Sequence, residues 1–291
     1  MGTVMVEVSI VCDKVRFEEK ALYEKTLSKG IKANIVDAKT ITIGTSSIMK
    51  DFPLLGDVIL QRSISYYRGL YLTACLEFVG FKVINKFKVG ETCGNKLVTS
   101  IKLAENKIPT PRTQFAFSAE SGLESMKKTG FPVVLKPIVG SWGRGIYPLR
   151  DLETANMIVE MREEDDSALS RIYYIQEMVD RPPRDIRCIV IGDQAVAAIY
   201  RYSSQSEWRT NVARGGKVEL APITKEMEDL ALRAAKTVGG GILGVDMMED
   251  KSHGIVVHEV NNTVEFRGAA SVSKADIPGE MIDYAVSVAR K

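Results

Sequence analysis

Histidine and cysteine are scarce in this chain, which limits the catalytic and metal sites that it can build. Its 291 residues include only two histidines, His253 and His258. So few imidazoles argue against a histidine-rich zinc site and weaken any Ser-His-Asp proposal. The four cysteines are scattered and form no CxxC pair: Cys12, Cys75, Cys93 and Cys188. Such thiols suit a reducing compartment, so we expect a cytoplasmic protein.

Long apolar runs and clustered positive charge are also missing. No apolar run approaches the ~20 residues needed to span a bilayer, so we expect no membrane partner. The formal net charge is only +2, and the basic residues are interspersed with acidic ones. Because nucleic-acid binders usually carry clustered Lys and Arg, we expect no nucleic-acid partner. A local basic face for a small acidic protein stays open.

Apolar segments alternate with amphipathic helices, which is typical of an α/β fold. The strand MVEVSIVC at 5–12, a helix at 15–29 and the strand IKANIVDA begin this pattern. Such alternation predicts parallel strands joined by right-handed crossovers. We predict three parts: an N-terminal parallel α/β domain at 1–88, a central part with a glycine-rich loop at 89–173, and a C-terminal part at 174–291.

The C-terminal part contains a constellation of oxygen ligands. In the strand HGIVVHEVN, strict alternation places the odd-numbered residues 255–261 on one face, so that Glu259 and Asn261 project together. Upstream, GILGVDMME carries Asp246, and a hairpin with its loop at 250–255 places that residue opposite Glu259. Two carboxylates and an amide oxygen suit Mg²⁺ when ATP phosphates fill the other positions. A solvated hairpin face remains the alternative interpretation.

Two segments that precede residue 180 suit a nucleotide. Lys136 ends an apolar strand just before GSWGRG at 140–145, a flexible loop whose backbone N–H groups suit phosphate. The strand YYIQEMV at 173–179 ends near Glu177, where backbone groups suit adenine and the carboxylate suits a ribose. Each segment taken alone is also typical of an ordinary loop or strand edge.

Arginines cluster in the C-terminal part. They occur in RDIR at 184–187, at Arg201 and in WRTN at 208–211, and VARGG follows as a flexible turn. Guanidinium groups match phosphates and carboxylates through paired hydrogen bonds, so this region suits an anionic substrate. Solvated surface arginines are the alternative interpretation.

The order of these motifs resembles the ATP-grasp superfamily and, within it, the RimK-like branch. That order is Lys96, Lys136, GSWGRG, QEMV, RDIR, RTN, Asp246 and Glu259-Val-Asn261. The resemblance extends from about residue 55 to the end, and it implies a two-subdomain ATP-grasp fold behind the N-terminal domain. It also implies an ATP-dependent ligase with two Mg²⁺ ions. One departure is Asn95, where many relatives have Asp.

The resemblance implies a role for each motif residue. The residues implied to bind ATP are Lys96, Lys136, Gly140, Ser141, Trp142, Gly143, Arg144, Gly145, Gln176, Glu177, Met178, Val179, Asp185, Arg187 and Asn211. Those implied to hold Mg²⁺ are Asp246, Glu259 and Asn261. Arg201 or Arg209 is implied to stabilise the tetrahedral oxyanion, and the sequence does not decide between them.

The segment after Asn261 is similar to that of the ligases that use α-aminoadipate in lysine biosynthesis. Asn262-Thr263 resembles their motif, whereas glutamate-using relatives tend to have Asp-Val-Pro-like residues and ribosomal-protein ligases a Ser-Ser-Pro-Gly-like stretch. The residues implied to contact the amino acid are Arg201, Val212, Ala213, Arg214, Gly215, Gly216, Asn262, Thr263, Glu265, Phe266, Arg267, Gly268 and Ala269.

The implied reaction has two steps. ATP phosphorylates the side-chain carboxylate of the C-terminal glutamate of a small acidic, LysW-like amino-group carrier protein. The amino group of α-aminoadipate then attacks the acyl phosphate. The relatives are typically dimers or tetramers, which implies a homo-oligomer. Glutamate as the amino acid, use of both amino acids, a ribosomal-protein ligase and a non-catalytic ATP-binding regulator remain the alternatives.

Overall fold

The first sheet is parallel, as the alternating sequence pattern predicts. The computed structural model describes residues 6–140, 143–203 and 217–291. Its N-terminal elements are β1 (Glu7–Cys12), α1 (Phe17–Ser28), β2 (Lys32–Asp37), β3 (Val58–Gln61), α2 (Tyr66–Val79) and β4 (Lys82–Ile84). The strands lie in the order β2-β1-β3-β4, and every pair is parallel. Helix α2 ends at Gly80, whose φ of +108° lies in the left-handed region that favours glycine.

The second sheet is antiparallel, and two helices precede it in the chain. In chain order the elements are α3 (Phe87–Cys93), α4 (Lys96–Glu105), β5 (Thr113–Ala116), α5 (Ala119–Thr129), β6 (Val133–Lys136), β7 (Tyr147–Leu149), α6 (Leu152–Glu163) and β8 (Tyr173–Glu177). The strand order is β5-β8-β6-β7. Helices α5 and α6 cover one face of this sheet, where Met126 and Leu135 are fully buried.

The third sheet is also antiparallel and has five strands. Its elements are β9 (Arg184–Ile191), β10 (Gln194–Tyr202), β11 (Val218–Leu220), α7 (Lys225–Val238), β12 (Ile242–Asp250), β13 (Gly254–Asn261), α8 (Arg267–Val272) and α9 (Ile277–Arg290). The strand order is β11-β10-β9-β12-β13. Helix α7 packs on one face, where Leu230, Ala234 and Val245 belong to one buried cluster.

The other face of the third sheet shares a core with the N-terminal sheet. Ile10 and Leu60 belong to the same buried cluster as Ile199, with α8 and α9 filling the space between the sheets. Because this core crosses between the two sheets, it fixes the carboxyl ends of β1 and β3 beside the third sheet. No helix among the described residues is long and apolar enough to cross a membrane. The three-part division at residues 88 and 173 stays a prediction.

Candidate active site

A cavity of about 710 Å³ is lined by residues from all three sheets. The predicted site residues on its wall are Lys96, Lys136, Gly140, Gly143, Arg144, Asp185, Arg187, Arg201, Asp246, Glu259, Asn261, Asn262, Thr263, Glu265, Arg267 and Gly268. The predicted residues that are described but stand back from this wall are Gly145, Gln176, Glu177, Met178, Val179, Phe266 and Ala269. Those outside the described residues are Ser141, Trp142, Arg209, Asn211, Val212, Ala213, Arg214, Gly215 and Gly216.

The three proposed metal ligands meet on one hairpin. Asp246 on β12 pairs directly with Glu259 on β13, which confirms the pairing predicted from the sequence. Asn261 lies on the same wall and donates from Nδ2 to Oδ2 of Asp246 over 3.2 Å. The strand geometry therefore brings two carboxylates and an amide together.

The predicted alternation of β13 is wrong at one point, because His258 forms a β-bulge. Asp246 pairs with Glu259 but Met247 pairs with Val257, so His258 is an extra residue in the ladder. The bulge turns Val257 into the core beneath the sheet, while His258 and Glu259 both line the cavity. The turn itself is shorter than predicted, since Asp250 already pairs with Gly254.

His258 is a cavity residue that the sequence did not mark as functional. Both ring nitrogens are buried and have no hydrogen-bond partner among the described residues. Burial lowers the pKa of this imidazole well below its usual value, and the positive charges of Lys136 and Arg201 add to the effect of burial, against the attraction of Asp246. The ring therefore lies beside the proposed metal ligands as a neutral group. His258 reaches the cavity because of the bulge, and the amino-acid sequence alone does not reveal where a strand bulges.

Two arginines neutralise Asp246. Arg187 donates from Nε and Nη2 to the two carboxylate oxygens, each over 2.7 Å, and Arg201 Nη2 lies 3.1 Å from Oδ2. Burial would raise the pKa of the Asp246 carboxyl, but these two cations hold it well below its usual range. Arg201 also binds Asp185 over 2.7 and 2.8 Å and is 3% exposed, so its guanidinium is fixed by two carboxylates.

The two predicted phosphate-binding lysines both line the cavity with Glu259. Lys96, the first residue of α4, places Nζ 3.1 Å from Oε1 of Glu259 and donates to the carbonyl of Gly140 over 2.7 Å. Lys136, the last residue of β6, donates to Oε1 of Gln176 over 2.6 Å. Burial lowers the pKa of Lys136 to about 8, against the attraction of Glu259. Asn95, the departure from the family pattern, caps α4 by accepting from Leu97 and Val98.

The predicted adenine-binding segment ends β8 and is tied to its neighbours. Gln176 is buried and links Lys136 to Thr113, which it contacts over 3.0 Å. Glu177 accepts from the backbone of Arg112 over 2.7 Å, so its carboxylate is engaged within the sheet. This segment therefore lies behind the cavity wall, and Gln176 is linked to the wall by its hydrogen bond from Lys136.

Asn85 holds the predicted specificity segment in place, and no sequence motif indicated it. Its Nδ2 donates to the carbonyls of Ile242 and Asn262, over 2.7 and 2.8 Å, and its Oδ1 accepts from Ile242 over 2.7 Å. These contacts join the end of β4 to residues more than 150 positions away. Phe266, by contrast, is fully buried against Phe17, with ring centroids 6.1 Å apart.

The donor set fits Mg²⁺ only together with a nucleotide. Carboxylate and amide oxygens are the ligands that a hard cation prefers, and Asp246, Glu259 and Asn261 offer them from one patch. Among the described residues, however, no group of three or more His, Cys, Asp or Glu converges. The described residues would therefore supply only part of a coordination sphere, and phosphate oxygens would supply the rest.

Two family models together match almost the whole chain. Residues 8–92 match a LysX preATP-grasp domain and residues 93–285 match a RimK-like ATP-grasp domain. The α-aminoadipate–LysW ligase LysX of Saccharolobus solfataricus is 36% identical over 95% of this chain and 99% of its own length. The glutamate–LysW ligase ArgX of Sulfolobus acidocaldarius is 33% identical over 95% of this chain and 97% of its own.

Solved structures are similar over the same extent. A RimK-domain ATP-grasp protein of Sphaerobacter thermophilus superposes with a TM-score of 0.77 at 22% identity, covering 96% of this chain and 99% of that one. The D-alanine–D-alanine ligase of Bacillus anthracis, solved with ATP, gives a TM-score of 0.69 at 17% identity over 99% and 98% of the two chains. These similarities show that the described sheets form an ATP-grasp fold. The chain therefore belongs to the RimK-like ATP-grasp family, with a LysX-type preATP-grasp domain, and it is an ATP-dependent ligase that forms an amide bond.

Proposed function

We propose that this ligase joins the α-amino group of α-aminoadipate to the side-chain carboxylate of the C-terminal glutamate of a LysW-like carrier protein, in lysine biosynthesis. One observation carries the proposal: the strand that presents Glu259 and Asn261 continues directly into Asn262-Thr263, and all four residues line one cavity. In this proposal, the residues that hold the metal and those that select the amino acid therefore lie on the same wall of the cavity. The LysX relatives at 35–36% identity support the same substrate.

The chain's own groups supply the electrostatics of the reaction. ATP supplies the phosphoryl group. We propose two Mg²⁺ ions, which Asp246, Glu259 and Asn261 would help to hold and which would neutralise charge on the phosphate oxygens. The carrier carboxylate takes the γ-phosphoryl group and ADP leaves. The amine of the amino acid then attacks the carbonyl carbon, phosphate leaves, and the amine gives up a proton. Lys96 and Lys136 neutralise the charge that develops on the phosphate oxygens.

The charge of the cavity suits acidic substrates. Among the described residues that line it, nine are Lys or Arg and five are Asp or Glu, so these lining residues carry a net positive charge. A triphosphate, an acidic amino acid and the acidic tail of a carrier protein are all attracted to such a surface. Asp185 and Asp246 bind Nε and Nη2 of Arg201. In this proposal, Arg201 therefore stabilises the oxyanion through Nη1.

Glutamate is the second candidate for the amino acid. ArgX relatives named as glutamate–LysW ligases are 31–33% identical, only slightly below the LysX group. The discriminating experiment measures ATP-dependent phosphate release with α-aminoadipate or glutamate, with and without the carrier. Our proposal predicts release that needs both α-aminoadipate and the carrier. A preference for glutamate would move the chain to the second function, and no release with either amino acid would favour a non-catalytic ATP-binding protein.

We further propose a cytoplasmic homo-oligomer, a dimer or tetramer, that forms through α2. This helix exposes Tyr67, Tyr71 and Phe78, which are 48%, 60% and 63% accessible, along one side, with Cys75 between them. Large apolar side chains exposed in a row are rare on monomers, and a second copy of α2 offers a matching surface. Light scattering during size exclusion tests this: a Tyr71→Glu variant should elute with a smaller mass, and an unchanged mass would contradict it.

A further inference from the structure

The N-terminal sheet forms a crevice where it meets the cavity. Its strand order places β1 and β3 side by side, and the chain leaves β1 towards β2 and β3 towards β4, in opposite directions. In parallel sheets, ligands bind beyond the carboxyl ends of strands at such a point. Arg16 follows β1 and Ser63 follows β3, and both residues line the cavity.

Arg16 is held rigidly at this point by Glu19. Its Nε and Nη2 donate to the two oxygens of Glu19 over 3.1 and 3.0 Å, and its backbone N–H donates to Oε2 over 2.9 Å. Arg62 also donates to this carboxylate, from Nε to Oε1 of Glu19 over 3.1 Å. Burial would raise the pKa of Glu19, but the two arginines outweigh it and hold that pKa below its usual value. Two guanidinium groups and one carboxylate leave the triad with one positive charge.

The outward edge of Arg16 meets a carboxylate of the chain itself. Arg16 Nη1 lies 2.7 Å from Oε1 of Glu265, which belongs to the segment after Thr263. The Glu265 side chain is 37% exposed, compared with 17% for Arg16 and none for Glu19. Glu265 is therefore the accessible partner of Arg16, which a ligand carboxylate can displace, whereas buried Glu19 fixes the position of Arg16.

A buried donor on the cavity wall, and a neighbouring one that does not line the cavity, have no partner among the described residues. Ser63 Oγ and Arg62 Nη2 are buried without a hydrogen bond to any described residue. The neighbouring donors are satisfied: Gln61 accepts from the Ser63 N–H, and Asp13 accepts from Ile64 and Ser65. Leaving a buried donor unpaired is unfavourable, so the unpaired Ser63 hydroxyl at the cavity wall indicates a ligand.

We propose that Arg16 and Ser63 form a carboxylate subsite of the ligase, that Glu19 and Arg62 position Arg16, and that Glu265 occupies the subsite until a substrate carboxylate displaces it. The exchange conserves charge, because one carboxylate replaces another on a triad of charge +1. Ser63 Oγ then gains an acceptor. The inference rests on the proposed function for the identity of the ligand, which is either the distal carboxylate of the acidic amino acid or the C-terminal carboxylate of the carrier.

A thermodynamic cycle tests the contact directly by calorimetry on the full chain. For the amino acid, binding of α-aminoadipate is compared with that of 2-aminohexanoic acid, which lacks the distal carboxylate. For the carrier, a synthetic peptide that ends in glutamate is compared with the same peptide amidated at its C-terminus. Each pair is measured with wild type, Arg16→Gln and the surface control Arg233→Gln, whose arginine is exposed on α7. A direct charged contact is worth roughly tenfold to a hundredfold in affinity.

The proposal expects that removing one ligand carboxylate weakens binding to wild type and to Arg233→Gln, but has little further effect in Arg16→Gln. The pair that responds identifies the source of the carboxylate. If neither pair is coupled to Arg16, the subsite is wrong. Failure of the proposed function is a separate result, because it appears as absent turnover by wild type, whereas these cycles need no turnover.

Glu265→Gln keeps the proposal testable if Arg16→Gln does not fold. Removing the internal competitor should tighten binding of the responding ligand, roughly tenfold, while ATP binding stays the same. A merely structural ion pair predicts the opposite sign, so weaker binding of that ligand to Glu265→Gln would overturn the proposal. Ser63→Ala should weaken it severalfold, and unchanged binding would remove Ser63 from the subsite.

Discussion

Arg187 and Asp246 are joined by two parallel hydrogen bonds, from Nε to Oδ1 and from Nη2 to Oδ2, each of 2.7 Å. The carboxylate that we propose as a metal ligand is thus already neutralised by the chain's own cation. Glu259 has a similar partner in Lys96, at 3.1 Å. A metal ion must compete with these cations, whereas a nucleotide offers the cations a new anionic partner.

Magnesium alone should therefore bind weakly, and magnesium with nucleotide should bind well. We expect that millimolar Mg²⁺ without nucleotide leaves the melting temperature nearly unchanged, because Arg187 and Lys96 already satisfy the carboxylates. ADP or a non-hydrolysable ATP analogue with Mg²⁺ should raise the melting temperature by several degrees through ligand linkage. Thermal unfolding measures both, and an equal rise with Mg²⁺ alone would contradict this order of binding.

Replacing Arg201 should destabilise the fold as well as the activity. Arg201→Met leaves Asp185 and Asp246 without their shared buried partner, and breaking such a pair costs roughly 3–5 kcal/mol. Urea denaturation gives the free energy of unfolding. The control Arg233→Met, which removes an exposed pair with Asp229, should change it by less than about 1 kcal/mol. Equal stability of the two variants would show that Arg201 is not a structural member of the site.

ATP affinity should fall as the pH rises through about 8. Burial lowers the pKa of Lys136 to about 8, so its ammonium loses its proton in that range when no nucleotide is bound. A triphosphate beside the ammonium favours the charged form and raises this pKa, so binding draws a proton onto Lys136 above that pH. Calorimetry in buffers of different ionisation enthalpy measures this proton uptake. Lys136→Arg stays protonated and should lose the pH dependence, and a wild-type affinity that is flat from pH 7 to 10 would contradict the assignment.

The choice of amino acid should depend on Asn262 and Thr263. Both line the cavity, and the backbone of Asn262 is held by Asn85. Replacing the two residues by Asp and Val, as in glutamate-using relatives, should shift the ratio of kcat/KM towards glutamate by about tenfold or more. Competition between the two amino acids at limiting carrier measures that ratio. An unchanged ratio would remove the basis for the aminoadipate proposal, and Asn106→Asp, on the surface, serves as a matched control.

Local patterns predicted the elements of this fold well. The strand predicted at 5–12 is β1 (Glu7–Cys12), and the helix predicted at 15–29 is α1 (Phe17–Ser28). The parallel sheet followed from alternating segments, and the facing of Asp246 and Glu259 followed from hairpin arithmetic. Short elements without a strong pattern were missed, namely α3, β7, β11 and α8.

Features that depend on distant contacts could not be predicted. The bulge at His258 is set by how β12 pairs with β13, and the hydrogen bonds of Asn85 reach across more than 150 residues. Burial of Arg201 between Asp185 and Asp246 depends on three strands of one sheet, so its sequence neighbourhood gave no sign of it. The Arg16–Glu265 contact joins the start of the first helix to the last third of the chain, and no local motif marks Arg16.

The most direct test of the magnesium–ATP centre is the Glu259→Gln variant. Its side chain is 24% exposed and touches Lys96, so the substitution should leave the melting temperature close to that of wild type. It removes a carboxylate that the proposed centre requires. Phosphate release with ATP, Mg²⁺, α-aminoadipate and the carrier should therefore fall to background. Release at a rate comparable to wild type, from a folded variant, would contradict the account.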